Sequence, residues 1–453
     1  MSQPIQARIP AGRPPILPGR PRILAGRPQI LAGRPRIPAG RPRLRIAFLV
    51  YRGNPRCGGQ GVYTRHLTRE LAALGHSVTV FSGPPYPDLD DPVELVKVAS
   101  LDLYREPDPF RVPRLREFTS ATDVLEFALM CTAGFPEPLT FSLRARRLLA
   151  ARAADFDLVH DNQSLGRGIA GMMRDGWPVL ATIHHPVTVD RDLDLAHAEG
   201  WQRRLSLRRW YGFVGMQARV AQAMPRVVTV SESSRRDIAD QLGVSLERIA
   251  VVPVGVDSSV FRPIPSARKV PGRIMTTASS DVPMKGLLPL LEALAKLRLD
   301  HEDAHLVVVG RLRDGSTIPA ALERLGLGGA VRFVSGVSDQ SIVDLYAEAQ
   351  LAVVPSLYEG FSLPAIEAMA CGVPLVATTG GALPEVAGPS GDSALLVAPG
   401  DPDALARAVS RLLGDESLRL RLGAAGRGRV AERFTWPVTA RATAEQYYEL
   451  LAC

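Results

Sequence analysis

From Arg45 onward, short apolar runs alternate with longer stretches whose apolar positions recur every three or four residues. Ile46–Tyr51 (IAFLVY) reads as a buried strand, and Gly61–Gly75 as a helix carrying Val62, Leu67, Leu71 and Leu74 on one face. Ser77–Phe81 is the next strand, and the alternation returns at Asp157–His160, Val179–His184 and Val227–Val230. A second series follows at Ile274–Thr277, Leu306–Val309, Val331–Val334, Leu351–Val354 and Leu375–Thr378. Strands alternating with amphipathic helices predict right-handed βαβ units and parallel sheets. Between the two series lies Pro253–Pro263 (PVGVDSSVFRP), punctuated by Pro and Gly, which reads as a linker. The pattern therefore predicts an α/β chain of two doubly wound, Rossmann-like domains, with ligands in a cleft at the carboxyl ends of the strands. Pro84–Arg147 breaks the rhythm, first Pro-rich and then helical, and reads as an insertion in the first domain.

Charge changes this picture in one place. The 453 residues carry a formal net charge of +8, which invites an anionic polymer or membrane as partner. Ten arginines and no acidic residue fall within the first 45 residues, so the remainder holds 44 basic against 46 acidic side chains, a net of −2. No nucleic-acid partner is expected of such a body. From Ala11 the tail repeats AGRPPIL, PGRPRIL, AGRPQIL, AGRPRIP and AGRPRLR. A Pro and a Gly in every heptad forbid a continuous helix, so residues 1–44 are expected to be a disordered, polyproline-like tail. The tail has neither the apolar core of a secretory signal nor the amphipathic helix of a transit peptide. Four scattered cysteines (Cys57, Cys131, Cys371, Cys453) without paired spacing point to a reducing compartment and against structural zinc. No apolar run reaches the length of a membrane span.

The most informative segment is Pro355–Gly381, PSLYEGFSLPAIEAMACGVPLVATTGG. A strand ends in a loop carrying Glu359 and Gly360, and a helix opens near Ser362–Pro364, where Pro is favoured in the first turn. A helix N-terminus offers free N–H groups and the positive end of its dipole to a diphosphate. Glu359 in the loop and Glu367 in the helix can face one ligand at different depths. Carboxylates suit sugar and ribose hydroxyls but repel phosphates, so the arrangement fits a sugar nucleotide. A helix cap with a surface Glu pair is the plainer alternative.

This segment resembles the Glu-x7-Glu signature of the retaining family 4 glycosyltransferases, which have the GT-B fold, and the resemblance spans residues 45–453. It extends to the glycine loop Cys57-Gly58-Gly59-Gln60-Gly61-Val62-Tyr63 and the following GHSVTVF, and to VTVSESSRRDI (Val228–Ile238), VPVGVDSSVF (Val252–Phe261) and FTWPVTARA (Phe434–Ala442). The resemblance implies an acceptor-side domain at 45–252, a nucleotide-sugar-binding domain at 253–435 and a last helix at 436–453 packing back on the first domain. It implies that Glu367 binds the donor ribose and Glu359 the transferred sugar. The backbone of Gly360, Phe361, Ser362 and Leu363 would meet sugar and diphosphate, and Gly59 the phosphate from the opposite domain. Lys285 matches the family's basic residue, which neutralises the leaving diphosphate. The family's preceding Gly-Arg-Leu is replaced by Ala278-Ser279-Ser280-Asp281, so Ser280 stands at the usual Arg position, with Arg311 as a substitute to examine. His184, at the end of a first-domain strand, matches the active-site His, with His185 as the fallback.

Asp190-Arg191-Asp192 imitates the metal-binding triplet of the other glycosyltransferase fold, but is expected to be a loop near the acceptor or simply solvated. Neither a metal nor a cofactor is expected. Trp201–Met224, basic and aromatic, is expected to form a helix that either lies on an anionic membrane with a lipid-linked acceptor or packs its aromatics inward. The expectation is a cytoplasmic enzyme, in one variant peripheral to the inner face of the membrane. It would transfer a hexose, with retention, from a nucleoside-diphosphate sugar to a hydroxyl acceptor. The rivals are a nucleotide-sugar epimerase on the same fold, a non-catalytic sugar-nucleotide-binding or membrane-tethered scaffold, and, less favoured, a pyridoxal-phosphate phosphorylase using Lys285 or Lys296.

Overall fold

The computed structural model describes residues 42–55, 59–198, 200–278, 282–313 and 315–452. Its first sheet comprises β1 (Arg45–Val50), β2 (Ser77–Ser82), β3 (Glu94–Lys97), β4 (Leu158–Asn162), β5 (Val179–Thr182), β6 (Arg226–Thr229) and β7 (Ile249–Val251). The second comprises β8 (Arg273–Thr277), β9 (His305–Val309), β10 (Val331–Val334), β11 (Leu351–Val354), β12 (Leu375–Thr378) and β13 (Leu395–Val397). The first is ordered β3-β2-β1-β4-β5-β6-β7 and the second β10-β9-β8-β11-β12-β13, and the pairs are parallel. In each, the chain builds outward in one direction and then returns to the other side. That reversal creates a switch point between β1 and β4 in the first sheet and between β8 and β11 in the second.

Burial explains the composition of the strands. Ile46 to Val50 are all fully buried, because helices cover both faces of a parallel sheet. Ala47, Leu49 and Val159 join one apolar layer, and Ile46, Phe48 and Leu158 the other. The second sheet is likewise sandwiched, with Met275 and Ala352 on one side and Ile274 and Val353 on the other.

The final helix, Trp436–Ala452, leaves the second domain and packs on the first. Trp436, Ala440, Ala444 and Tyr447 join Phe48, Tyr63 and Leu67 in one core. The Tyr447 hydroxyl lies 2.6 Å from His160 Nδ1, and His160 Nε2 lies 2.7 Å from Thr182 Oγ1. Here burial pushes the His160 pKa down to about 3, so the ring is a neutral structural link.

Several local expectations change. The Pro-rich part of 84–147 contains β3, which pairs with β2. As a four-residue edge strand with no fully buried position, it has no apolar run to betray it. The edge strands β7 (IAV) and β13 (LLV) are apolar but only three residues long, too short for the alternation to mark them. The expected tail reaches too far. Leu44 is buried and its N–H donates to His76 Nδ1, while the Pro42 carbonyl accepts from Tyr448. Residues 1–41, with most of the repeats, lie outside the described residues. The expected helix over Trp201–Met224 is broken into Trp201–Trp210, a tight turn at Tyr211–Phe213, and Val214–Ala223.

Because Trp436 is almost fully buried, its replacement by Ala removes core volume that the strands cannot recover. The expected loss is about 3–5 kcal/mol of stability, read from denaturant unfolding. An unchanged midpoint would contradict this role for the returning helix.

Candidate active site

The loop after β11 is shaped by close backbone contacts. Gly286 has φ 66°, and a Cβ there would lie 2.0 Å from the Pro355 carbonyl oxygen. Any side chain would push the turn carrying Lys285 away from β11. The Leu357 N–H donates to the Met284 carbonyl at 2.8 Å, tying the two segments together. Gly381 (φ 61°) supports the loop from the other side, where a Cβ would come within 2.2 Å of the Glu359 carbonyl oxygen.

As a result, Lys285 Nζ meets Glu359 Oε1 at 2.8 Å, and Ser356 Oγ donates to the same oxygen at 2.7 Å. Glu359 is buried, whereas about a third of the Lys285 side chain remains accessible (34%). The ammonium is thus anchored at the switch point and still open to the cleft.

Glu367 lies in the helix Leu363–Ala370, half-buried, with no hydrogen-bonded partner for its carboxylate among the described residues. Desolvation, reinforced by the negative charge of Asp339, pushes its pKa up to about 7. Ser362 precedes this helix and is fully buried, yet its Oγ neither caps the helix nor finds another partner among the described residues. Thr276 Oγ1, near the end of β8, is buried and unpartnered in the same way. A buried polar group left unmet costs about 1–3 kcal/mol, which a polar ligand or water recovers. Phe361 and Leu363 pack against the cores of both domains and carry the loop across the cleft.

On the facing domain, Gly59 precedes the helix Gln60–Ala73, is exposed, and has open space where a Cβ would project. Cys57 and Gly58 lie outside the described residues. His184 follows β5. Its Nε2 is 2.8 Å from Asn162 Oδ1, its backbone N–H donates to Gln163 Oε1 at 2.8 Å, and Tyr63 meets the ring edge-on at 4.7 Å. Burial, with the nearby His185 adding to it, holds the His184 pKa down at about 3. His185 is exposed and pairs with Asp190 at 3.0 Å.

The two halves meet at Gly360. Its carbonyl accepts from Ser231 Oγ at 2.6 Å and Ser234 Oγ at 3.1 Å, and a Cβ there would be 3.7 Å from the His184 carbonyl oxygen. Beside it, the Glu385 carboxylate accepts from the N–H groups of Glu232 and Ser233 (2.7 and 2.8 Å), capping the helix Glu232–Leu242 of the other domain. The Tyr358 hydroxyl donates to Asp237 across the same gap. Gly360 thus lies between His184 of the first domain and the Lys285–Glu359 pair of the second.

Ser280, at the position of the family's Arg, lies outside the described residues, as do Ser279 and Asp281. Arg311 is exposed after β9, one strand away from the switch point. Asp190-Arg191-Asp192 is not a loop but part of the helix Thr188–His197, where Asp192 pairs with Arg191. Trp210 packs among Tyr104, Phe110 and Phe135, leaving Trp201 as the prominently exposed aromatic of its helix. Glu385 and Asn162 gave no chemical signal in the sequence, and the motif holding Ser231 and Ser234 did not reveal their role, since each acts through a partner more than 20 residues away or across domains.

Two facing Rossmann-like domains with cationic, carboxylate and helix-terminal groups at their switch points define a GT-B glycosyltransferase. Glycosyltransferase family 4 matches residues 57–260, and group 1 glycosyl transferases match residues 265–429. The chain is 51% identical over 410 residues to an MMP alpha-(1->4)-mannosyltransferase of Mycolicibacterium hassiacum, covering 90% of this chain and 99% of that one. It is 30% identical to a D-inositol 3-phosphate glycosyltransferase of Acidothermus cellulolyticus, over 88% of each. Among solved structures, sucrose-phosphate synthase from Thermosynechococcus elongatus shares 25% identity at a TM-score of 0.68, covering 90% of this chain and all of that one. Anabaena HepE, solved with UDP and glucose, shares the fold at 18% identity and a TM-score of 0.63, with 90% and 100% coverage. The chain belongs to the retaining family 4 glycosyltransferases and is a glycosyltransferase.

The raised pKa of Glu367 has a signed consequence. The folded state holds its proton to about pH 7, the unfolded chain only to the ordinary carboxylate range near 4.3. This stabilisation is complete below the unfolded value and is lost as pH rises through 7. Relative to Glu367→Gln, the wild type should therefore lose about 3–4 kcal/mol between pH 4 and pH 8 in denaturant titrations. A constant difference would refute the shift.

Proposed function

We propose that this cleft transfers a mannosyl residue from a nucleoside-diphosphate mannose to a saccharide hydroxyl, forming an α-(1→4) linkage. The observation that carries the reading is the convergence of Lys285, Glu359 and the helix N-terminus after Ser362 at one switch point, opposite Gly59 and His184. The similarity to a mannosyltransferase supports the choice of sugar and linkage.

In this reading Glu367 accepts from the donor ribose and Glu359 from hydroxyls of the transferred sugar. The backbone of Gly360, Phe361, Ser362 and Leu363 meets sugar and diphosphate, while Gly59 approaches the phosphate from the first domain. Lys285, held by Glu359, stabilises negative charge as the sugar–phosphate bond breaks. The acceptor attacks on the face the diphosphate leaves, and a leaving phosphate oxygen takes its proton. His184 is neutral and orients hydroxyls, so proximity and electrostatics carry the rate. Cations and backbone dipoles meet the charge, and the reading uses neither a metal ion nor a cofactor.

Lys285→Met should lower kcat/KM by about 10²–10³-fold, whereas Glu367→Ala should act mainly on donor KM. GDP-mannose, UDP-glucose and ADP-glucose are compared by thermal shift and then by transfer to manno-oligosaccharides. Stabilisation by the mannose donor with acceptor-dependent product is expected. Product from donor alone would favour epimerisation, and binding without turnover a scaffold.

The proposed setting is the cytoplasm, in keeping with scattered cysteines. Among the described residues no helix is long and apolar enough to cross a membrane. Exposed Trp201 and Leu205, beside exposed Arg203, Arg204, Arg208 and Arg209, favour a peripheral contact with anionic lipid. Co-sedimentation with phosphatidylglycerol vesicles should fall in a Trp201→Ala, Leu205→Ala variant; equal recovery would dismiss that contact.

A further inference from the structure

Around His184 the hydrogen-bond pattern is determinate enough to assign its protons. An imidazole nitrogen facing a side-chain amide can bond in two ways: ring N–H to amide oxygen, or amide N–H to a bare ring nitrogen. His184 Nε2 and Asn162 Oδ1 are 2.8 Å apart, and the neighbours decide between the two. Thr64 Oγ1 donates its single proton to the Gln60 carbonyl at 2.7 Å, so toward Asn162 it offers only lone pairs. Asn162 Nδ2 faces that oxygen at 3.4 Å, a longer but correctly polarised contact. Turning the amide over would set oxygen against oxygen with no proton between them. The amide oxygen therefore faces His184, and Nε2 must carry the hydrogen.

The remaining ring nitrogen, Nδ1, is then a bare lone pair with no partner among the described residues. The backbone on either side is fixed independently, since Gln163 accepts from the His184 N–H and donates to the His185 carbonyl at 2.7 Å. Thr64 and Asn162 are both fully buried, and Gln60 opens the helix that follows Gly59. A chain of defined donors and acceptors thus runs from the glycine loop to the cleft imidazole.

We propose that Thr64 and Asn162 are positioning residues that hold His184 in its Nε2–H tautomer, so that His184 meets the bound sugar as a hydrogen-bond acceptor through Nδ1. The side chain then selects a ligand hydroxyl that donates, and it has no proton to give a phosphate oxygen. The ligand's identity rests on the function proposed above. The tautomer does not, because it belongs to the free protein.

The test is a long-range ¹H–¹⁵N correlation spectrum of full-length protein labelled with ¹⁵N-histidine, with His184 assigned by the loss of its signals in His184→Gln. At neutral pH, Nε2 should resonate as a protonated, pyrrole-type nitrogen and Nδ1 as a bare, pyridine-type nitrogen. The reverse pattern, or a doubly protonated ring, would overturn the assignment. Thr64→Val keeps the shape but removes the oxygen that orients Asn162. Signals of the second tautomer should then appear and kcat/KM should fall about tenfold, with Thr64→Ser restoring both. An unchanged His184 spectrum in Thr64→Val would overturn the relay. If the wild type shows the expected tautomer but transfers no sugar, the proposed function fails and the assignment stands.

Discussion

The carbonyl of Gly360, held by the hydroxyls of Ser231 and Ser234, is the constraint on which the site depends. Each domain alone presents half a binding surface at the carboxyl ends of its strands. The loop after β11 touches the start of the helix Glu232–Leu242, and this contact joins the two halves. Glu385 strengthens that junction by placing a carboxylate on two free N–H groups at a helix N-terminus, and hydrogen bonds to a charged group contribute about 1.5–3 kcal/mol. On the other side, the domains are joined by apolar packing of the returning helix, with Trp436 and Tyr447 in the first-domain core. The domains thus meet through apolar packing at the returning helix and at Phe361 and Leu363, and through polar contacts at Gly360 and Glu385.

This division also sorts the polar groups of the site. Those that shape it are already paired: Lys285 with Glu359, Glu359 with Ser356, and His184 with Asn162. Others lie without a partner among the described residues, including the carboxylate of Glu367 and the hydroxyls of Ser362 and Thr276. The desolvation that pushes Glu367 up to about pH 7 is the same cost seen electrostatically. A ligand rich in hydroxyls, with a diphosphate between sugar and ribose, supplies partners for both the anions and the helix N-terminus.

Periodicity alone located the strands that are buried on both faces, because these must be continuous apolar runs. It failed for β3, β7 and β13, short edge strands with little to bury. It also assigned Leu44 to the tail, where tertiary packing on His76 overrides a Pro- and Arg-rich context. Glu359, Lys285 and Glu367 stand out as candidates in the sequence because the loop, strand and helix that place them are contiguous or carry a recognisable motif. The partners of Ser231 and Ser234 at Gly360 do not, and neither does Glu385, since a contact or helix cap supplied by another domain has no local signature. Asn162 was hidden differently, its role depending on a hydrogen bond to His184 that no spacing rule encodes.

The most direct measurement of the central claim, that one ligand bridges the two switch points, is hydrogen exchange with and without GDP-mannose. Bound donor should slow exchange together in residues 59–64 and 231–235 of the first domain and 359–367 of the second. Slowing confined to a single domain would contradict the account.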